Sequence, residues 1–565
     1  MYFLDIAREK IAKEVNQALA KKASINAGDL VFPPDAKMGD VSLPCFGLAK
    51  ELGRNPAEVA KELETKVKDA VCSVVAIGPY LNFTLNKSVL SGKVLPEILK
   101  KGKKYGQQTT GAKKRVLVEF ANQNTHKEVH VGHVRNFSYG DSVYRLLKAN
   151  GFEALPFSYI NDLGINTARV VWGLDKFYAG KKITGDKGEF LGKVYPEATK
   201  KQEELGDEAK KEVGDYMKAI ESRQGETYQK WQTTRQWSID SFAKIYRELG
   251  IKFHDIWYES EHIDEGLRLV QELKDKGVLK MSQGALIADL EQFGLGVQVY
   301  LRADGTALYP VADLALAQAK VKRFGIDESI IIVDIRQALH FKQLFKVMEL
   351  LGYTQKMVHL GYDFVTLPGG AMSSRSGNVV TYATLKKTLI KTAVKSTQEK
   401  HPDWEMKQVR KIAKKIAVGA MKFEMIKIGR EKSITFDIEK SLRFDGFTSA
   451  YLQYTGARIT SILKKATIEA GADYAQLTED KEGALVMKLA KYPEVLSTAS
   501  QSYEPSEIAK YLFELAQQFN DYYHSVSVLK AGPDIMQARL ALLQSVRQVL
   551  ENGLRLLGID FIDEM

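Results

Sequence analysis

The chain has 565 residues, of which 45% are hydrophobic and 27% charged; this is the make-up of an ordinary globular protein too long for one core, and roughly three or four packed units are expected. A run of about 18 apolar residues, the minimum for a bilayer-spanning helix, is absent, and Cys45 and Cys72 alone exclude a disulfide framework or a cysteine zinc ribbon and make the reducing cytoplasm the expected compartment. The 81 Lys plus Arg against 70 Asp plus Glu, a net charge of +11, suit a polyanionic partner without demonstrating one.

The opening MYFLDIAREKIAKEV reads as an amphipathic helix, and its mixed charges fit neither a secretory nor a transit segment. Leu43, Leu48 and Leu52 fit a helix stopped by Gly53, and Asn55 caps a second one with Pro56 at its first position. CSVVAIGPYLNFTLN (72–86) predicts strand, Gly-Pro turn and strand, with Leu81, Phe83 and Leu85 alternating. Residues 1–110 are therefore expected to form a small α+β domain. KKGKKYGQQTTGAKKR (100–115) is basic and aperiodic, as in a linker.

VLVEF (116–120) is a buried-strand signal, followed by a loop and a helix with Val134, Val143, Leu146 and Leu147 on one face and Gly151 as its stop. LPFSYIND is the next strand, completing a βαβ unit whose loop lies at the carboxyl edge of the first strand, where open α/β sheets bind ligands. SIIIVDI (329–335) and MVHLGYDFVTL (357–367) predict later strands of the same sheet, while the charged helical stretch over about 171–250 is an insertion. The sheet domain is assigned to 111–385 and a helical bundle to 386–565. In that bundle Ile508, Leu512, Leu515 and Phe519, and then Leu543, Val546, Leu550, Leu554 and Leu557, recur at helical spacing.

The loop after VLVEF reads NTHKEVHVGHVRN and holds His126, His130 and His133, three of the nine histidines. A metal site needs ligands that converge, and Gly132 and the absence of nearby cysteine work against one. A group of surface histidines and a nucleotide grip remain. A helix N-terminus offers unpaired N–H groups and a positive dipole end to phosphate, imidazoles at its entry add donors, and Gly132 permits close approach to the backbone.

VEFANQNTHKEVHVGHVRN resembles the HIGH signature region of class I aminoacyl-tRNA synthetases, and of arginyl-tRNA synthetases in particular. Further segments follow in the family's order: YINDLG (159–164), GTALYPVADLALAQAK (305–320), VDIRQALHFKQLFKVMELLG (333–352) and AMSSRSGN (371–378), the last similar to the second, KMSKS-type signature. SAYLQYTGARITSIL (449–463) and the ending ARLALLQSVRQVLENGLRLLGIDFIDEM (538–565) resemble the family's anticodon-binding domain, so the likeness runs over nearly the whole chain.

The resemblance implies a multidomain α/β protein: a Rossmann-type parallel-sheet catalytic domain carrying the insertion, the small α+β N-terminal domain, and an all-α C-terminal bundle. It implies ATP-dependent activation of L-arginine as the adenylate and transfer to the 3′ end of tRNA(Arg), with Mg²⁺ accompanying the ATP. His130, Gly132, His133, His340, Met372, Ser373, Ser374 and Arg375 would face the ATP. Where KMSKS has lysines this chain has Ala371 and Ser374, and Lys127, just upstream of the first signature, is expected to take over the missing charge with help from Arg375. Asp313, Tyr309 and Glu259 would face the guanidinium, whose planar fork pairs with carboxylates, and Asn122, Asn124 and Gln337 would hold the backbone end of the amino acid. An N-terminal segment, GDVSLPCFGLAKELGRNPAEVAKEL (39–63), would meet the tRNA elbow, and of the tail aromatics Tyr451, Tyr454, Phe519, Tyr522 and Tyr523, together with Met565, the family positions favour Tyr451 and Met565 as tRNA contacts. No protein-bound metal, no membrane association and a monomeric state are expected. A non-catalytic tRNA-binding paralogue and a class I synthetase of another specificity are the competing readings.

Overall fold

The computed structural model of the protein describes residues 1–68, 72–366, 368, 380–467, 469 and 471–565. The AMSSRSGN segment, with Met372, Ser373, Ser374 and Arg375, lies outside the described residues.

The N-terminal region runs α1 (Phe3–Leu19), β1 (Val41–Pro44), α2 (Phe46–Leu52), α3 (Pro56–Lys66), β2 (Cys72–Ile77), β3 (Tyr80–Leu85) and α4 (Lys87–Lys101). The strands form an antiparallel sheet in the order β1-β3-β2. Asn55 caps α3 as its side chain suggests, accepting from the Ala57 N–H. Leu43 belongs to β1 and not to the helix ended by Gly53, because Val41, Ser42 and Leu43 are buried against β3. The basic stretch after α4 is no free linker. Tyr105 is 2% exposed, stacks on Tyr492 at 6.2 Å and donates to the Leu489 carbonyl at 3.1 Å, so one aromatic turns a charged segment into a packed joint with the C-terminal helices.

The central region contains β4 (Arg115–Glu119), α5 (Val131–Ala149), β5 (Glu153–Ile160), α6 (Ile165–Phe177), α7 (Lys187–Leu205), α8 (Asp207–Glu221), α9 (Gly225–Glu248), β6 (Asp255–Tyr258), α10 (Ile263–Asp275), β7 (Lys280–Ser282), β8 (Ala285–Asp289), β9 (Val297–Leu301), α11 (Tyr309–Phe324), β10 (Glu328–Asp334), α12 (Ala338–Leu350), β11 (Lys356–Tyr362) and β12 (Val365–Thr366). Five of these strands make a parallel sheet in the order β11-β10-β4-β5-β6. The order reverses direction about β4, which puts the loop after β4 at the crevice where such sheets receive ligands. Strands buried on both faces read as continuous apolar runs, and Val116, Leu117 and Val118 are all fully buried. Gly140 lets α5 sit directly on the strand end: a Cβ there would lie 2.2 Å from the Phe120 ring. Helices α6 to α9, between β5 and β6, carry a small core of their own around Trp172, Leu191, Val194, Val213 and Trp231. The antiparallel sheet β7-β8-β9 and the edge strand β6 are elements that the sequence reading did not predict.

The C-terminal region is helical: α13 (Tyr382–Lys400), α14 (Met406–Ile426), β13 (Ile434–Thr435), α15 (Ile438–Ser441), α16 (Ser449–Leu463), α17 (Asp480–Ser502), α18 (Pro505–Ser525) and α19 (Pro533–Leu556). The helical-period residues Ile508, Leu512, Leu515 and Phe519 are completely buried, as are Leu543, Val546, Leu550, Leu554 and Leu557. Two buried cations tie this bundle to α5. The Lys422 ammonium bridges Asp141 and the Gly558 carbonyl at 3.1 and 2.9 Å. Arg135, 1% exposed, donates to five backbone carbonyls, those of Asp363 and Phe364 on one side and Gly429, Arg430 and Lys432 on the other, at 2.7 to 3.4 Å. Among the described residues no helix is long and apolar enough to cross a membrane.

Candidate active site

The three histidines divide into two kinds. His126 is structural: its backbone has a φ of 62°, its N–H donates to Ser238, and its ring nitrogens lie 2.9 Å from the Thr125 hydroxyl and 2.7 Å from that of Thr234. Burial pushes it down to about 3, so it is a neutral peg fastening the loop to α9. His130 and His133 instead open α5. His130 is the N-cap residue, its Nδ1 accepts from the Gly132 N–H at 3.1 Å, and His133 Nδ1 accepts from the His130 N–H at 3.1 Å. With both Nδ1 atoms acting as acceptors, each neutral ring carries its proton on Nε2. Burial, reinforced by the Lys127 charge, pushes His130 down to about 4 and His133 well below the usual range. The rings stack at 3.7 Å. Gly132 has a specific reason here: a Cβ would come 3.0 Å from the His130 ring.

The loop is fixed at both ends. Asn124 bridges to Asn161 at the end of β5, and the Val131 and Tyr382 N–H groups bond the Val380 and Val129 carbonyls at 3.1 and 2.7 Å, so the chain leaving the second signature pairs with the first. Lys127 points toward the insertion, its Nζ 4.7 Å from the Tyr195 ring centroid, and lines a narrow recess with Gly188, Glu189 and Ser238. It does not line the cleft that holds Asp313.

That cleft, about 670 Å³, opens at the carboxyl ends of β4, β5 and β10 and is lined by Asn122, Asn124, Tyr159, Asn161, Gln298, Tyr309, Asp313, Gln337 and His340. Asp313, one turn into α11, receives His340 Nε2 at 2.7 Å. Tyr309, at the start of the same helix, is 74% exposed and stands at the rim. Asn161 Nδ2 donates to Glu259 at 3.2 Å, and burial, together with the charge of Asp313, pushes Glu259 up to about 7. Asp162, fully buried, accepts from the Ser260 N–H and hydroxyl at 2.9 and 2.8 Å and from Arg235 at 2.5 Å, so YINDLG clamps the Glu259 turn and α9 together. Below, Glu119 pairs with buried Lys320 and accepts from Asn122 Nδ2 at 2.9 Å. Asn122 Oδ1 and the Tyr159 hydroxyl are buried with no hydrogen-bond partner among the described residues, and buried polar atoms are rarely left so unless something else meets them.

Comparison with known proteins accounts for this architecture. The profile described as tRNA synthetases class I (R), catalytic domain, matches residues 94–438; the DALR anticodon binding domain matches 452–565, and the arginyl tRNA synthetase N terminal domain 6–85. The chain belongs to the arginyl-tRNA synthetase family. An arginine–tRNA ligase of Bdellovibrio bacteriovorus is 36% identical, with 95% of this chain and 94% of that protein covered, and one of Clostridium botulinum is 33% identical, with 99% and 100% covered. Thermus thermophilus arginyl-tRNA synthetase superposes with a TM-score of 0.81 at 26% identity over 99% of this chain and 100% of that one. The Plasmodium falciparum arginyl-tRNA synthetase shares the fold, with a TM-score of 0.78 at 19% identity over 99% of each chain.

Within this family frame the tail aromatics separate. Phe519 and Tyr522 are 0% and 1% exposed and belong to the core, not to a tRNA surface. Tyr451 is half-buried, packs edge-on against Phe513 at 5.6 Å, and its hydroxyl accepts from Asn520 at 2.8 Å; Met565 packs on the same core. Arg458 lies over Tyr454 and Tyr523 at 4.9 and 6.0 Å, a cationic aromatic face reachable from solvent. The sequence reading did not single out Glu119, Tyr159, Asn161, Gln298 or Lys320 in the cleft. Tyr159 and Asn161 sit in the quoted YINDLG and could have been found there; Gln298, on an unpredicted strand, carried no local signal.

Proposed function

We propose that this chain performs the arginine–tRNA ligase reaction with the cation of its substrate in the Asp313 cleft and the ATP phosphates over the start of α5. The arginine carboxylate attacks the α-phosphorus of ATP, the bond from that phosphorus to the α,β-bridging oxygen breaks and pyrophosphate leaves; a terminal ribose hydroxyl of tRNA(Arg) then attacks the acyl carbon, loses its proton and releases AMP. Neither step needs a nucleophilic side chain, so the protein's work is orientation and stabilisation of negative charge.

The reading is carried above all by Asp313 on the cleft wall with Glu259 just behind Asn161 and near enough to feel the Asp313 charge, since two neighbouring carboxylates suit a permanently charged guanidinium and leave neutral isosteres with charges unpaired. Tyr309 closes the rim. Asn122 and Asn124 offer polar atoms to the backbone end of the amino acid, with Gln337 on the opposite wall. His130 and His133 donate from Nε2 to phosphate or ribose oxygens, and the positive end of the α5 dipole favours the anion. Lys127 swings from Tyr195 to the leaving pyrophosphate, with Arg375 assisting from the second signature beside Met372, Ser373 and Ser374. His340 touches Asp313 and so acts on the arginine side, whatever contact it also makes with ATP. Mg²⁺ enters on the triphosphate; among the described residues no group of three or more His, Cys, Asp or Glu is placed to hold a metal. Tyr451 and Met565, with the Tyr454–Arg458–Tyr523 face, receive the anticodon end, and the N-terminal sheet domain the elbow.

The test is charging of total tRNA with each labelled amino acid in turn. Arginine alone is expected to be incorporated; charging with a neutral or acidic amino acid, or with none, overturns the assignment.

A further inference from the structure

Beneath the cleft, β9 carries two polar side chains that the reaction above leaves unused. Tyr300 is completely buried and Gln298 is 4% exposed. The Tyr300 hydroxyl donates to Gln298 Oε1 at 3.0 Å, Gln298 Nε2 lies 3.1 Å from His340 Nδ1, and His340 Nε2 lies 2.7 Å from Asp313 Oδ2. The line can be read in one direction. Burial and the nearby Asp313 charge push the Tyr300 phenol upward, so it stays a donor. Its proton claims Gln298 Oε1, which turns the amide N–H toward His340. Nδ1 must then accept, and the single proton of a neutral imidazole falls on Nε2, where it is given to Asp313.

We propose that Gln298 and Tyr300 are positioning residues for substrate selection: they hold His340 neutral and in one tautomer, so that Asp313 is oriented by a hydrogen bond yet keeps its full negative charge for a cationic side chain. An imidazolium at His340 would cancel that charge in advance. Asp313 alone would invite one, because a carboxylate at 2.7 Å favours the charged ring. The amide N–H of Gln298 opposes it, since protonating Nδ1 would leave two donors facing each other in a buried place. The other groups about His340 do not replace this restraint. His359 on β11 is itself lowered, by burial first, Arg336 after β10 is paired with Asp334 at 2.7 Å, Phe341 on its own helix is apolar at 5.1 Å, and Glu259 interacts with Asp313. The line also explains the sheet β7-β8-β9: Gln343 of α12 donates to the Leu295 carbonyl at 2.8 Å, fixing the hairpin under α12 so that Gln298 meets His340.

This inference rests on Asp313 being the partner of the arginine side chain, and the two claims fail differently. Arginine KM and kcat are measured for tRNA charging between about pH 6 and 9 in the wild type, Gln298→Leu, Tyr300→Phe and Asp313→Asn. In Gln298→Leu the KM relative to wild type is expected to stay within about twofold at the alkaline end and to rise roughly tenfold or more toward the acidic end, as His340 takes a second proton and occupies Asp313. The kcat ratio stays flat. Tyr300→Phe gives the same trend in weaker form, because its amide is free to turn, and it carries the test if Gln298→Leu does not fold. A KM ratio that is constant across pH, whether raised or not, overturns the relay, for a packing defect has no reason to titrate. Asp313→Asn with an unchanged KM would instead remove the cup assignment on which the relay depends.

Discussion

The Asp313 cleft and the start of α5 handle charge by opposite devices. Asp313 lines the cleft, and Glu259, bonded to the lining residue Asn161, is pushed up to about 7 by burial and by the Asp313 charge. At the start of α5 the histidines have been stripped of charge by burial, and what remains is a pair of neutral N–H donors beside a helix terminus, with Lys127 to the side against the Tyr195 ring. Under the proposed assignment a cationic side chain would meet fixed charge, which selects by sign, whereas the triphosphate would meet neutral donors and Lys127, which would hold it without gripping the product permanently.

Breaking the acidic end should have the largest effect. Asp313→Asn is expected to lower kcat/KM for arginine at least about a hundredfold, because His340 and the guanidinium lose one shared partner; a loss under tenfold would equate the two ends. Next comes Lys127→Ala, expected to slow arginine-dependent pyrophosphate exchange by roughly ten- to a hundredfold with arginine KM little changed. A rate within about threefold of wild type removes Lys127 from the mechanism. The pH behaviour sharpens the contrast more gently. Glu259 has its folded pKa raised, so the cup holds its second negative charge only above about 7; arginine affinity should fall several-fold as pH drops through that value, while ATP affinity changes little between about pH 6 and 8, because His130 is already neutral above about 4. The sign carries over to stability: the folded state favours protonated Glu259, so Glu259→Gln is expected to raise Tm at pH 8 and not near pH 4, even as it weakens arginine binding, and a Tm lowered at pH 8 would refute the burial cost. The smallest effect is expected for Gly132→Ala, whose Cβ displaces the His130 ring by a few tenths of an ångström. ATP KM should rise a few-fold with arginine KM unchanged.

What could be read from the residues follows the range of the interactions. VLVEF, the helix with Val134 and Leu146, and the helices with Leu512 and Leu550 are set by local periodicity, and they stand where periodicity puts them. The family segments singled out Asp313, Asn124 and Gln337 together, three residues that line one cleft from a helix, a loop and a turn, which no spacing argument could have done. The failures involve distant partners. Tyr105 looked like linker because Tyr492 lies far along the chain; Tyr522 stood among the candidate RNA contacts because its burial depends on other helices; the Glu119–Lys320 pair joins residues 201 positions apart; and the Gln298 line crosses from a short sheet to two helices. The loop lysine was legible as chemistry but not as geometry, since its present neighbour, Tyr195, comes from the insertion.

Among the described residues the side-chain hydrogen bonds of Arg135 go to main-chain oxygens of two separate loops. Every peptide has a carbonyl, so the residues at 363, 364, 429, 430 and 432 can be exchanged without loss of the acceptors, whereas position 135 has no substitute that offers a planar fork of five donors. Tolerance to substitution around this junction should therefore be lopsided: permissive at the five acceptors' side chains, and closed at the one guanidinium that staples them.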